Sequence, residues 1–284
     1  MKRIFVMILA LVLAISLCAC SSSKETAEPA TAEATTQSAA PAEAEVTQAD
    51  IEKNIIGTWI KSEVDGQPAL TNEKSVIVIV SKTEAYTSAS HLTDEGNPFD
   101  YNQKSKVDIN GNVVTITTTT TNSEGESFVH EFTINSIGEN RFTANREFTR
   151  TIKGSDPLIK EDTVTFIKIN DDHGDNIIGT WEGRCTSKGS IFDDGQDHRW
   201  EYKDDGTYVY YVKDGDDWVP SEDTMNEYFV AGNLLCMRWM ENDTENREWW
   251  DITIDGDTMN WTALREADDG STFTATFEMS RVKN

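Results

Sequence analysis

Basic residues are scarce in this chain. Its 284 residues carry 25 Lys and Arg against 50 Asp and Glu, a formal net charge of -25. Nucleic acid is excluded as a partner, because phosphate backbones are bound by clustered cations. An anionic membrane surface would likewise repel the body of the protein. Two readings of the acid remain open: a solvated exterior that keeps an exported protein soluble, and loops that hold cations. Cysteine is sparse too. There are four, and Cys18 and Cys20 lie near the N-terminus, leaving only Cys185 and Cys236 for the folded part. That rules out a disulfide-built scaffold. A single bridge between Cys185 and Cys236 and a pair of buried thiols are both admissible.

Catalytic motifs are missing as well. His91, His130, His173 and His198 have no partner motif, and no Ser stands in a Gly-x-Ser-x-Gly context. Neither a phosphate-cradling Gly-rich loop nor a paired-cysteine zinc motif occurs. Asp193-Asp194-Gly195-Gln196-Asp197-His198 and Asp214-Gly215-Asp216-Asp217 gather hard oxygens, but neither has EF-hand spacing. Hairpin turns have the same composition. The expectation is a protein that is not an enzyme, with no metal and no cofactor.

Only one long apolar run exists, and it is N-terminal. Lys2-Arg3 precede Ile4–Leu17, as in a secretory signal, and the run is short for a spanning helix. Leu17-Cys18-Ala19-Cys20 resembles the lipobox of bacterial lipoproteins, which implies cleavage before Cys20 and lipidation of that residue. An ordinary cleaved signal is the competing reading. Diacyl and N-acyl (palmitate-type) chains would anchor the protein firmly, since each buried methylene contributes ~0.8 kcal/mol. Residues 21–46 are Ala, Thr, Glu, Ser and Pro with almost no large apolar side chain. Such a stretch cannot offset its chain entropy and reads as a disordered tether. The expected location is the cell membrane of a bacterium, lipid-anchored and facing outward into the cell envelope.

What the chain does have, it has twice. Asn54-Ile55-Ile56-Gly57-Thr58-Trp59 returns unchanged as Asn176-Ile177-Ile178-Gly179-Thr180-Trp181. Gly111-Asn112-Val113-Val114 corresponds to Gly232-Asn233-Leu234-Leu235 at nearly the same offset, and Arg146-Glu147 to Arg265-Glu266. A repeat of this length defines two units, 47–170 and 171–284. In both, apolar residues alternate with polar ones, as in Phe128, His130, Phe132 and Ile134, the pattern of half-buried strands. Thr47 caps one short helical turn with Asp50 at its third position. Asp205-Gly206, Asp214-Gly215, Asp255-Gly256 and Asp269-Gly270 mark hairpins. The expectation is all-β: two tandem up-and-down antiparallel barrels of about eight strands each, closed so that no sheet edge is exposed.

A Gly-x-Trp near the start of the first strand, after a helical turn and before an eight-strand meander, resembles the lipocalin or calycin signature. More narrowly, the chain is similar to the lipocalin-like domains of bacterial lipoproteins. Gly57, Trp59, Gly179 and Trp181 carry the resemblance, with Tyr202–Tyr208 like that family's Asp-Gly hairpin. It implies that each tryptophan plugs the closed end of its barrel beneath a late cation: Arg265 or Arg281 in the second unit, Arg146 or Lys168 in the first. The Thr-Asp-Tyr motif of typical lipocalins is absent.

All tryptophans but Trp59 lie in the second unit. Trp200, Tyr202, Tyr208, Tyr210, Met237, Trp239 and Trp261 fall on faces that would line its interior, where they either enclose a ligand or fill the barrel. Trp249 and Trp250 must point to opposite sides of a strand, so one of them is expected at the surface as a contact residue. Two functions follow. The first is binding of a small apolar or amphipathic ligand in a barrel without catalysis. The alternative is a module with filled barrels that contacts an envelope protein or glycan through exposed aromatics.

Overall fold

The computed structural model describes residues 45–87, 103–119, 126–187, 194–241, 244–267 and 269–283. The leader, Cys20, the tether up to residue 44 and His91 lie outside the described residues, so the lipobox reading is untouched by the fold. Among the described residues no helix is long and apolar enough to cross a membrane.

The chain enters through a helix, α1 (Gln48–Asn54), whose Thr47 cap and Asp50 complete a reciprocal capping box. Nine strands follow: β1 (Gly57–Val64), β2 (Gln67–Pro68), β3 (Val76–Ser81), β4 (Glu84–Thr87), β5 (Gln103–Asn110), β6 (Val113–Thr119), β7 (Ser127–Ile137), β8 (Arg141–Thr151) and β9 (Leu158–Ile169). Apart from the two-residue β2, they form an antiparallel meander that β1 and β9 close by pairing from Thr58↔Ile169 to Val64↔Val164. The result is a closed eight-stranded barrel. Its core is Ile51, Ile55 and Trp59 below, with Ile77, Val114, Ile116, Phe132, Phe142 and Phe166 above.

The second sheet repeats the plan with one change. Its strands are β10 (Gly179–Cys185), β11 (His198–Tyr202), β12 (Tyr208–Asp214), β13 (Asp217–Pro220), β14 (Thr224–Ala231), β15 (Leu234–Glu241), β16 (Thr244–Asp255), β17 (Thr258–Glu266) and β18 (Thr272–Arg281). Here β10 pairs with β18, and the open edges fall between β13 and β14. The sheet curls until one end of the seam is tacked together. Thr207 bridges Glu227, the Tyr228 amide donates to Gly206 O at 2.8 Å, and the Tyr228 hydroxyl donates to Lys203 O at 2.7 Å. Beyond that tack β13 and β14 are not paired, leaving a half-barrel with an open flank.

The two sheets belong to one compact unit, Ala44–Asn284. Between them lies an apolar layer of Ile60, Val76, Ile167 and Ile169 from the first sheet and Phe229, Ala231, Leu234, Cys236 and Trp249 from the second. Thr71 Oγ1 donates to Trp249 O, and Lys74 pairs with Asp251 at 3.0 Å across the same junction.

This layer corrects one expectation and decides a question the sequence left open. Trp249 and Trp250 do face opposite sides of β16, yet neither is at the surface: Trp250 points into the half-barrel, and Trp249 points outward under the first barrel, edge-on to Phe229 at 5.5 Å. The first barrel covers what strand alternation alone would leave wet. Of the two readings of Cys185 and Cys236, the structure has buried thiols and no bridge. Cys185 packs inside the half-barrel and Cys236 on the opposite face of its sheet, and thiols on opposite faces cannot reach bonding geometry. Burial pushes the Cys236 thiol well above its ordinary pKa.

Candidate functional site

Both barrels are sealed at one end by the same device. Trp59 Nε1 donates to Ile55 O at 2.6 Å and Trp181 Nε1 to Ile177 O at 2.7 Å. A cation from the last strand lies over each indole: Lys168 Nζ at 4.7 Å from the Trp59 ring and Arg281 Cζ at 4.1 Å from that of Trp181. Each cation also donates to the carbonyls before the Gly-Thr-Trp: Lys168 to Asn54 and Ile56, Arg281 to Asn176 and Ile178. Of the four cations that sequence reasoning proposed, Lys168 and Arg281 fill the role. Arg146 and Arg265 do not. Gly57 and Gly179 are required here: their φ values are +144° and +124°, and a Cβ would come within 2.9 Å of Lys168 Cε or 2.7 Å of Arg281 Nη1.

Directly above its plug the first barrel is filled. The void among Trp59, Ile77, Val114, Phe132 and their neighbours is about 10 Å³, no more than one water's worth. The half-barrel is different. Between its walls lies a cavity of about 300 Å³, at the lower end of the range for small-molecule sites. Six of the seven residues singled out from the sequence line it: Trp200, Tyr208, Tyr210, Met237, Trp239 and Trp261. Tyr202 does not. It lies deeper, edge-on to Tyr228 at 4.8 Å, and its hydroxyl donates to Met237 Sδ at 3.2 Å.

The aromatic wall is continuous. Trp200 and Trp261 are 4.8 Å apart at their centroids, Trp250 and Trp261 5.3 Å, and Phe277 stands edge-on to Trp200 and Trp250. Such contacts fix ring orientation beyond area burial alone. Period-two alternation places these side chains inward, because β11, β15, β17 and β18 each offer every second residue to the interior. Trp261 is 1% exposed, and its indole N–H has no hydrogen-bond partner among the described residues. A buried donor left unmade is costly and is normally satisfied. Burial raises the phenols of Tyr208 and Tyr210, the latter to about 12, so both stay neutral across physiological pH.

Sequence reasoning missed the cavity's polar edge. His198, weighed in the sequence as the end of an acidic loop, lies 2.7 Å from the Tyr210 hydroxyl through Nδ1 and 3.4 Å from Asp194 through Nε2. Asp223, Glu241 and Glu248 complete the edge, and among the described residues no Lys or Arg lines the cavity. Glu248 accepts from Trp250 Nε1 and pairs with Arg265 at 2.8 Å. The signal for a cavity role was that His198 and Trp200 share a strand face. His130 packs against Phe132 and Phe148. No group of acidic, His or Cys residues among the described residues has the arrangement of a metal site.

No family model matches the chain, and no curated protein matches it. Among solved structures it is similar to a protein of unknown function from the DUF3598 family of Nostoc punctiforme. The identity is 11%, over 83% of this chain and 99% of that one, with a TM-score of 0.24. At that score the likeness carries no argument about function.

Proposed function

We propose that this is a lipid-anchored envelope protein, held outside the membrane through Cys20, whose half-barrel binds a small apolar or aromatic ligand without catalysis. One observation carries the reading: the aromatic residues of the second repeat converge on a cavity at the one place where the repeated barrel plan stays open. Next to its plug the first barrel packs an aliphatic and phenylalanine core with almost no void, whereas the second repeat keeps an aromatic-walled cavity between its sheet walls. Aromatic walls favour flat or hydrophobic guests. The carboxylate edge selects against an anionic head, so an amphipathic ligand of this cavity carries a neutral or cationic polar end. The unpartnered Trp261 N–H suits a ligand acceptor.

The competing reading, a contact module with exposed aromatics, loses its two named anchors, because Trp249 and Trp250 are both covered. Titration of the full chain with indole, naphthalene and octanol, followed by tryptophan fluorescence, tests the proposal. Saturable quenching or a spectral shift is expected, weakened at least tenfold in Trp200→Ala. Absence of saturable change with every probe, or an unaffected Trp200→Ala variant, would reject it.

A further inference from the structure

A different cavity, of about 410 Å³, lies where the first barrel meets β16. Its charged lining is Lys61, Lys74, Arg146, Lys160 and Arg247 against one carboxylate, Glu73. In a chain with twice as many acids as bases, that is the reverse of the composition expected by chance. The cations are not equivalent. Arg146 is held bidentately by Asp162, at 2.8 and 2.5 Å, and Lys74 is paired with Asp251. Lys160 lies 3.5 Å from the same Asp162 with its side chain half exposed.

Lys61 stands apart. It follows Trp59 by two positions on β1 and so shares its inward face, and it is only 6% exposed. Its ammonium has no hydrogen bond or ion pair among the described residues. Burial, and then the nearby Arg146, push its pKa down to about 8. A buried charge without a partner is costly and is retained where something pairs with it. The rest of the wall is apolar, with Phe128, Phe148, Phe166 and Trp249 facing the same space.

We propose that this cavity binds a small organic carboxylate, its head on the Lys61 ammonium and its apolar body against the phenylalanine wall. A carboxylate fits better than a phosphate. Among the described residues Lys61 is the deeply buried cation of this cavity without an ion pair, and the Arg146 fork that would grip a second anionic oxygen is already filled by Asp162. The site is separate from the aromatic cavity of the half-barrel, and its lining is of opposite charge. Around Lys61 stand Arg146 from β8, Lys160 and Asp162 from β9, His130 from β7, Glu73 and Lys74 from the turn before β3, and Arg247 from β16. Asp162 is drawn upward by burial, but its bonds to Arg146 outweigh that and hold it ionised. Lys61 is therefore the group whose loss of charge in mildly alkaline solution removes the anion's partner.

Calorimetric titration of the full chain with octanoate, 1-octanol and inorganic phosphate at low salt tests this. Octanoate should bind at least tenfold more tightly than octanol at pH 7, and roughly tenfold more weakly at pH 9.5 than at pH 8 as Lys61 deprotonates. Lys61→Met should cut octanoate affinity tenfold or more and leave octanol within twofold, while Lys61→Arg keeps most of the binding. No octanoate binding up to millimolar concentration, equal binding of octanoate and octanol, or indifference to Lys61→Met would overturn the proposal. So would binding of phosphate in place of octanoate. Should Lys61→Met fail to fold, the Lys160→Gln/Arg247→Gln pair carries the test: unchanged affinity together with a flat profile from pH 7 to 9.5 would overturn it equally.

Discussion

Trp59 and Lys61 sit two positions apart on one face of β1, and each forces a different arrangement around it. The tryptophan is satisfied on every side: its N–H is bonded, its lower face is apolar and a lysine covers its ring. Lys61 is buried just above with no hydrogen bond or ion pair among the described residues, and the attraction of Asp162 and Glu73 only partly offsets its desolvation. Its pKa falls from the ordinary 10.5 to about 8, a shift that corresponds to about 3 kcal/mol of disfavoured charge at neutral pH. Between pH 8 and 10.5 the folded chain holds fewer protons at this site than the unfolded chain, so the stability this group contributes rises through that window. Below pH 8 the penalty is present in full. Lys61→Met should therefore stabilise the fold by about 2–3 kcal/mol at pH 7, and the gain should shrink toward zero near pH 10.5. Urea unfolding of both proteins at several pH values measures it. A gain that grows with pH, or a loss at pH 7, would refute this account of the site.

At the scale of elements, the seam of the half-barrel is the feature that separates the two repeats. β13 is only Asp217–Pro220, it ends in proline, and it pairs on one side alone. Proline cannot donate to a further ladder and suits an edge. The Asp214-Gly215 turn was legible in the sequence, but a four-residue strand after it was not, because one alternation is too short to register against noise. The long strands were legible: β7, β8, β16 and β18 each carry several cycles of period-two alternation, and the doubled Gly-Thr-Trp fixed where each sheet begins. The inward aromatic set of β11, β12, β15 and β17 followed from the same periodicity. Closure was expected of both units and holds for the first; in the second the last strand does pair with the first, and the sheet stays open because β13 and β14 do not pair. Amide exchange should reflect this division. Amides of β13 and of the Thr224 end of β14 should exchange orders of magnitude faster than those of β7, β8 and β9, which are paired on both sides. Equal protection of β13 and β8 would mean that the flank is closed in solution.

The arrangement of the whole molecule decides which faces count as surface. Taken singly, the second sheet would present Phe229, Cys236 and Trp249 to water, and strand alternation alone makes that the natural expectation. The first barrel removes them from solvent by offering Ile60, Val76, Ile167 and Ile169 in return. The repeats are thus not beads on a string, for each supplies one wall of a shared apolar layer. The same junction places Arg247 and Trp249 of the second repeat against the mouth of the first, so the cationic cavity takes part of its wall from each repeat. Coupling through this layer predicts one cooperative thermal transition for the folded part of the chain. Trp249→Ala removes the largest side chain of the layer and should cost about 3–5 kcal/mol. It should also split the calorimetric trace into two transitions, because a half-barrel deprived of that contact no longer shares its stability with the closed barrel. A single transition in the variant, or two in the parent, would show that the barrels fold independently. In that case octanoate affinity should survive Trp249→Ala, whereas a docked pair loses both together.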